Sequence, residues 1–173
     1  MIYTVECNFS DPNTEEQWNN FYNLNKLPAL ISVTGIQTSQ RFKAVGSGYP
    51  IYLAIHSIDS AEVLAGEEYH KKGGGNFAQW QKYITDWHRN LHKGIDQAPA
   101  IGAEEYLLSS ENGPESLIKI GLIPQEIQAV ALDKSPAYRW LAKLDGSNSH
   151  LLAHLPKDVH LYAPITEQLV SAS

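Results

Sequence analysis

The sequence predicts an α+β chain built from two related βαββαβ halves, with helices covering one face of antiparallel sheet. Three observations predict it: a period-two apolar segment at the N-terminus, a pair of alternating segments joined by a glycine-rich turn near residue 47, and a fainter return of the same order after residue 100. The composition allows such a fold. With 173 residues, 43% apolar and 18% charged, the chain can bury a real core as one ordinary domain or two small ones.

Met1 to Phe9 reads as a strand, because Tyr3, Val5, Cys7 and Phe9 alternate with Ile2, Thr4 and Glu6. Ser10-Asp11-Pro12 breaks it, and Thr14 with Gln17 has the spacing of a capping box that opens a helix carrying Trp18, Phe21 and Tyr22 on one side. That helix is expected to end near Leu27-Pro28. Ile36 to Lys43 and Tyr49 to Ile58 then form a hairpin about Gly46-Ser47-Gly48. Ile51, Leu53 and Ile55 are uniformly aliphatic, so they are expected to meet the helices, with Tyr52, Ala54 and His56 facing the other way.

Asp59 and Glu62 repeat the capping-box spacing and start a short helix to about Tyr69, which the Gly73-Gly74-Gly75 run interrupts. Asn76 can cap a further helix carrying Phe77, Trp80, Ile84 and Trp87, before a strand from Arg89 to Ile95. In the second half Leu117-Ile118 echoes Leu30-Ile31, and Pro136 to Ala142 echoes Pro50 to Ala54. Ala98-Pro99 and Ala163-Pro164 close the two halves, giving expected units at 1–99 and 100–173, the second shorter.

Trp18-x-x-Phe21-Tyr22, the Leu27-Pro28 helix end, Gly35-Ile36, Arg41-Phe42 and Tyr52-Leu53-Ala54 together resemble the dimeric α+β barrel superfamily, small ferredoxin-like proteins that pair two sheets into a barrel. The resemblance covers residues 1–96 and extends only loosely beyond. It implies an α+β barrel, a homodimer, and one of several activities found in that superfamily: cofactor-free monooxygenase, lactone isomerase, polyketide cyclase or haem enzyme. Fold alone does not choose among them.

In a ferredoxin-like sheet the third strand lies between the first and second, so the face away from the helices would gather Glu6, Arg41, Tyr52 and His56. Arg41 would stand roughly opposite Tyr52, with His56 about 13 Å further along. A neutral His56 could move a proton, Glu6 could orient it, and Arg41 or Tyr52 could stabilise an enolate or carboxylate. The alternative is an Arg41–Glu6 ion pair beside a hydrogen-bonded, inert Tyr52 and His56. His70 and Trp80 are further candidates for contact with a ligand, against the plainer readings of a solvent-facing loop histidine and a core tryptophan.

A formal charge of −6 and the lack of a basic stripe argue against a nucleic-acid partner. Cys7 is the only cysteine, so no intrachain disulfide forms and a reducing cytoplasm is expected. No charged leader and no apolar run long enough to span a bilayer appear, so membrane association is not expected. His88/His92 and His150/His154 share a four-residue spacing without the Glu of a zinc-protease motif, and no metal is assigned. The glycine run lacks the Gly-Lys-Ser/Thr ending of a phosphate loop, and Glu15-Glu16, Glu67-Glu68 and Glu104-Glu105 point in divergent directions.

These features predict a small-molecule enzyme without a bound cofactor, doing isomerase, cyclase or lyase chemistry by proton transfer on a carbonyl-bearing metabolite. A non-catalytic ligand-binding or assembly protein is the second reading, and a haem- or oxygen-dependent oxidoreductase the third.

Overall fold

A computed structural model describes residues 1–73 and 77–172. Its strands are β1 (Ile2–Phe9), β2 (Ile36–Ala44), β3 (Tyr52–Ile58), β4 (Ile84–Lys93), β5 (Glu105–Ser110), β6 (Gln125–Leu132), β7 (Tyr138–Asp145), β8 (Val159–Pro164) and β9 (Leu169–Val170). The first eight pair in the order β3-β1-β4-β6-β7-β5-β8-β2, and β2 pairs again with β3. The result is a closed, wholly antiparallel eight-stranded barrel, with β9 added along β2. Within residues 1–93 the order is β4-β1-β3-β2, and within residues 105–164 it is β8-β5-β7-β6. The seams between these two groups are β4–β6 and β2–β8.

Alternation along each strand divides the side chains between barrel lumen and outer face. Ile2, Phe42, Leu53, Ile55, Leu107, Ile127, Leu141 and Tyr162 fill the lumen, and the link between the two groups closes over them with Ala98 and Ile101. Gln40 holds that link by exchanging hydrogen bonds with the backbone of Ile101. On the outer face of the first group, Tyr3, Val5, Cys7 and Phe9 meet the helices, as their period-two spacing predicts.

The expected orientation of β3 is reversed. Leu53 and Ile55 point into the lumen, whereas Tyr52, Ala54 and His56 lie under the helices. All seven β3 residues are buried. An aliphatic face and a mixed face therefore both find a core, and the aliphatic one suits the lumen while the helix layer is aromatic. Apolarity alone does not say which core is which.

Helix α1 (Glu15–Phe21) starts at Thr14, but the expected capping box is not made. The Thr14 hydroxyl donates to Asp11 Oδ2 instead, at 2.7 Å. The helix also does not stop at Pro28: one π turn (Tyr22–Lys26) carries it into α2 (Leu27–Ile31). Proline is tolerated because it falls in the first turn of α2, directly after the widened turn. The short helices α3 (Glu62–Ala65) and α4 (Glu67–Lys72) follow β3. Asp59 makes no cap there, its carboxylate accepting from Gln37 Nε2.

Ala78–Tyr83 is a 3₁₀ helix, and Ile84 and Trp87 belong to β4 rather than to the helix their spacing predicts. Trp87 meets Phe77 edge to face at 5.5 Å, a contact that positions ten apart on one helix could not make. Gly74, Gly75 and the expected Asn76 cap lie outside the described residues. In the second group, α5 (Glu115–Lys119) and a 3₁₀ helix (Gly146–His154) cover the sheet, over an apolar layer of Leu108, Leu117, Ala142, Leu144, Val159 and Leu161. Among the described residues no helix is long and apolar enough to cross a membrane.

One glycine fixes the β4–β6 seam. Gly94 has φ +124°, and a Cβ there would sit 2.4 Å from the Glu126 carbonyl oxygen. Gly94→Ala is expected to cost more than about 1 kcal/mol in a urea titration, since both backbone strain and the clash oppose it. An unchanged midpoint would show that the seam yields freely.

Candidate active site

The predicted site residues separate into two environments on opposite faces of the sheet. Glu6 projects into the lumen, where both carboxylate oxygens accept from the Arg139 guanidinium at 3.0 and 2.6 Å, with both residues almost fully buried. Arg139 also lies 3.8 Å from Glu111, at whose carboxylate His160 stands 3.9 Å away. The partner of Glu6 is thus Arg139, not Arg41, because residues 6 and 41 face different cores.

Arg41 and Tyr52 do come together, but in the helix layer. Lys43, not Arg41, is opposite Tyr52 in the hairpin register. The Arg41 guanidinium lies 3.8 Å from the Tyr22 ring centre and 5.5 Å from that of Tyr52, and donates to Asn23 Oδ1 at 2.6 Å and Asn19 Oδ1 at 3.0 Å. The Asn19 amide donates to the Tyr52 hydroxyl, which donates to Glu15. Burial pulls the Arg41 guanidinium below its ordinary pKa, and burial followed by the Glu15 bond pushes Tyr52 up. This network orients α1 against β2 and β3, with Asn19 bridging the Tyr52 hydroxyl and the Arg41 guanidinium.

His56 occupies a different part of the same layer. Its ring stacks on Tyr3 at 5.5 Å, Nδ1 lies 2.7 Å from Ser39 Oγ, and Nε2 is buried without a hydrogen-bond partner among the described residues. With Nδ1–H donating to Ser39, Nε2 carries a lone pair. Burial, and then the neighbouring Lys26 charge, lowers the His56 pKa to about 4, so the ring is neutral at pH 7. The ring lines a small cavity of about 10 Å³ with Tyr3, Tyr22, Lys26, Leu30, Tyr69 and Trp87. That is room for about one water molecule.

On the far side of Tyr69 an open cleft of about 640 Å³ runs between α3–α4 and β4–β6. Leu64, Leu91, Ala131 and Leu132 make it apolar, Arg89 supplies a cation and His70 a polar ring. Tyr69 is therefore the partition between cleft and cavity, and its hydroxyl meets that of Tyr3 at 3.1 Å with Arg89 beside both. Of the expected ligand-contacting residues, His70 lines this cleft, its Nδ1–H donating to the Gly66 carbonyl at 2.8 Å. Trp80 packs on Phe21 at 5.0 Å, outside both spaces.

Lys26, Tyr3, Tyr69 and Arg89 are absent from the residues singled out in the sequence. Lys26 had a legible signal: Trp18, Tyr22 and Lys26 recur every fourth residue, which places a lysine on a buried aromatic stripe. Tyr69 and Arg89 had none, since only the fold brings α4 beside β4. The histidine pairs do not converge: His92 turns inward to Thr4 Oγ1 at 3.0 Å, His88 lies near Asp133, and His150 and His154 are exposed. Among the described residues no three His, Cys, Asp or Glu side chains gather to hold a metal ion.

No protein-family model and no curated protein matches the chain. Solved structures do. An anthrone oxidase-like protein superposes with a TM-score of 0.60 at 9% identity, covering 99% of this chain and 93% of the other. A provisionally named monooxygenase from Lactobacillus acidophilus superposes with a TM-score of 0.51 at 12% identity, covering 98% of each chain. At such identities the similarity is one of fold, and it places this chain among the antiparallel α+β barrels.

Proposed function

We propose that this chain is a small-molecule enzyme that removes a proton from an activated carbon acid conjugated with an aromatic carbonyl, with His56 as the base and without a tightly bound cofactor. The observation that carries the reading is the unpartnered, buried Nε2 of a neutral histidine in an aromatic cavity. A base whose conjugate acid has a pKa of about 4 is weak. It suits a C–H already acidified by both a carbonyl and flanking rings, as in an anthrone-like ketone, better than a simple ketone.

The apolar cleft would receive the ring system, with Tyr69 swinging aside to join cleft to cavity. Tyr3 and Tyr69, backed by Arg89, offer donors to the carbonyl oxygen. Both halves, 1–99 and 100–173, are read as ferredoxin-like units, supported by their matching strand orders. On that reading β7 is the counterpart of β3 and carries no histidine, so the chemistry belongs to the first half alone.

The names of the similar structures favour a second outcome from the same first step: the carbanion reacts with dioxygen instead of recovering a proton. Anthrone in deuterated buffer under argon distinguishes these from a binding module. His56-dependent deuterium exchange at the acidic carbon is expected, falling at least about 100-fold in His56→Ala with ligand affinity retained. Oxygen uptake on admitting air would select the oxygenase reading. Binding without exchange, in the wild type, would leave the non-catalytic reading standing.

A further inference from the structure

Lys26 is nine-tenths or more buried and sits in the cavity of His56. The π turn puts it there. Its closing bond runs from the Leu27 amide to the Tyr22 carbonyl, five residues back. A turn this wide brings positions four apart closer to alignment than an α-helix does, so Tyr22 and Lys26 reach the same cavity. Single π turns of this kind recur at functional sites. The Lys26 ammonium donates to the Gly73 carbonyl at 2.9 Å and lies 4.4 Å from the Phe77 ring centre.

We infer that Lys26 is the acid partner of His56, binding the oxygen of a planar keto or hydroxy arene whose acidic C–H faces His56 Nε2. The inference rests on the proton-transfer reading of the cavity and names its substrate class. In the forward step the C–H proton passes to His56 Nε2, and the electron pair moves onto the carbonyl oxygen. That oxygen takes a proton from the Lys26 ammonium. The product is the enol, and a proton lost from His56 and one regained by Lys26 through solvent restore the starting state. No electrons are gained or lost.

One environment lowers both groups: burial brings Lys26 down to about 8, and burial beside the Lys26 charge brings His56 down to about 4. The other titratable groups on this cavity are Tyr3 of β1, Tyr22 of the π turn and Tyr69 of α4. Burial raises Tyr3 and Tyr22, so neither ionises near neutrality. Arg41 lies against the Tyr22 ring, and Arg89 beside Tyr3 and Tyr69, both permanently charged.

The test uses 4-nitrophenolate, whose binding to the full-length protein is followed by absorbance from pH 7.5 to 10. Wild-type affinity is expected to fall at least tenfold as pH rises through about 8, where Lys26 loses its proton. Lys26→Arg should hold affinity to higher pH, and Lys26→Met should bind weakly throughout. A Lys26→Arg or a folded Lys26→Met profile identical to the wild type overturns the role of Lys26 and leaves the cavity reading intact. No binding by the wild type at any pH overturns both.

Discussion

Glu6→Leu is expected to destabilise the protein by about 3–5 kcal/mol, the cost of leaving a buried guanidinium without its carboxylate. Arg139 is 3% exposed as a side chain, too dry for water to take over the two lost bonds. Glu111 lies within 3.8 Å of the guanidinium and is one-third exposed, so it can swing in and hold the loss nearer the lower end. The double variant Glu6→Leu/Arg139→Met removes both charges and should recover most of the stability, because the pair's attraction mainly offsets its own desolvation. Urea midpoints of the wild type, both single variants and the double variant decide this. Equal losses in single and double variants would mean that the side chains matter for their volume and not for their charge.

Acid should unfold the protein over a narrow range, and two histidines account for much of it. Burial holds both His56 and His92 at a pKa of about 4, where an unfolded chain has about 6.5. The folded state binds fewer protons than the unfolded state between those values, so stability rises with pH there. The contribution is fully present above about pH 6.5 and is lost as pH falls toward 4. Each histidine then accounts for about 3 kcal/mol, using 1.36 kcal/mol per unit. Urea titrations at pH 7 and 4.5 should show the loss, and His92→Gln, which keeps a partner for Thr4 Oγ1, should remove about half of it. An unaltered pH dependence in both His92→Gln and His56→Gln would sink the assignment.

The strand order of the first half was legible because each strand carries its own punctuation: Ser10-Asp11-Pro12 after β1 and the Gly46–Gly48 turn before β3. The facing of β1 was legible for the same reason, since aromatic and polar positions alternate cleanly along it. β3 was not. A closed barrel gives a strand two cores, and a sequence reports burial without reporting which core supplies it. This single inversion moved Arg41, Tyr52 and His56 under the helices and left Glu6 on the other side.

The helix signals failed more locally. Pro28 marks a helix start as readily as a stop, and nothing in Tyr22 to Lys26 announces a π turn. Phe77, Trp80, Ile84 and Trp87 fit a helical period, yet a strand begins at Ile84. The four residues do share one apolar cluster, but Ile84 and Trp87 reach it from a strand and not from the expected helix.

Barrel closure by a single chain has a consequence for mass action. Every strand pairing from β1 to β8 is internal, so dilution removes no term from the barrel's stability. A thermal midpoint measured over a hundredfold range of protein concentration should carry no contribution from closing the sheet. Two copies that associate would do so through outer faces already folded, and their separation would leave each barrel whole.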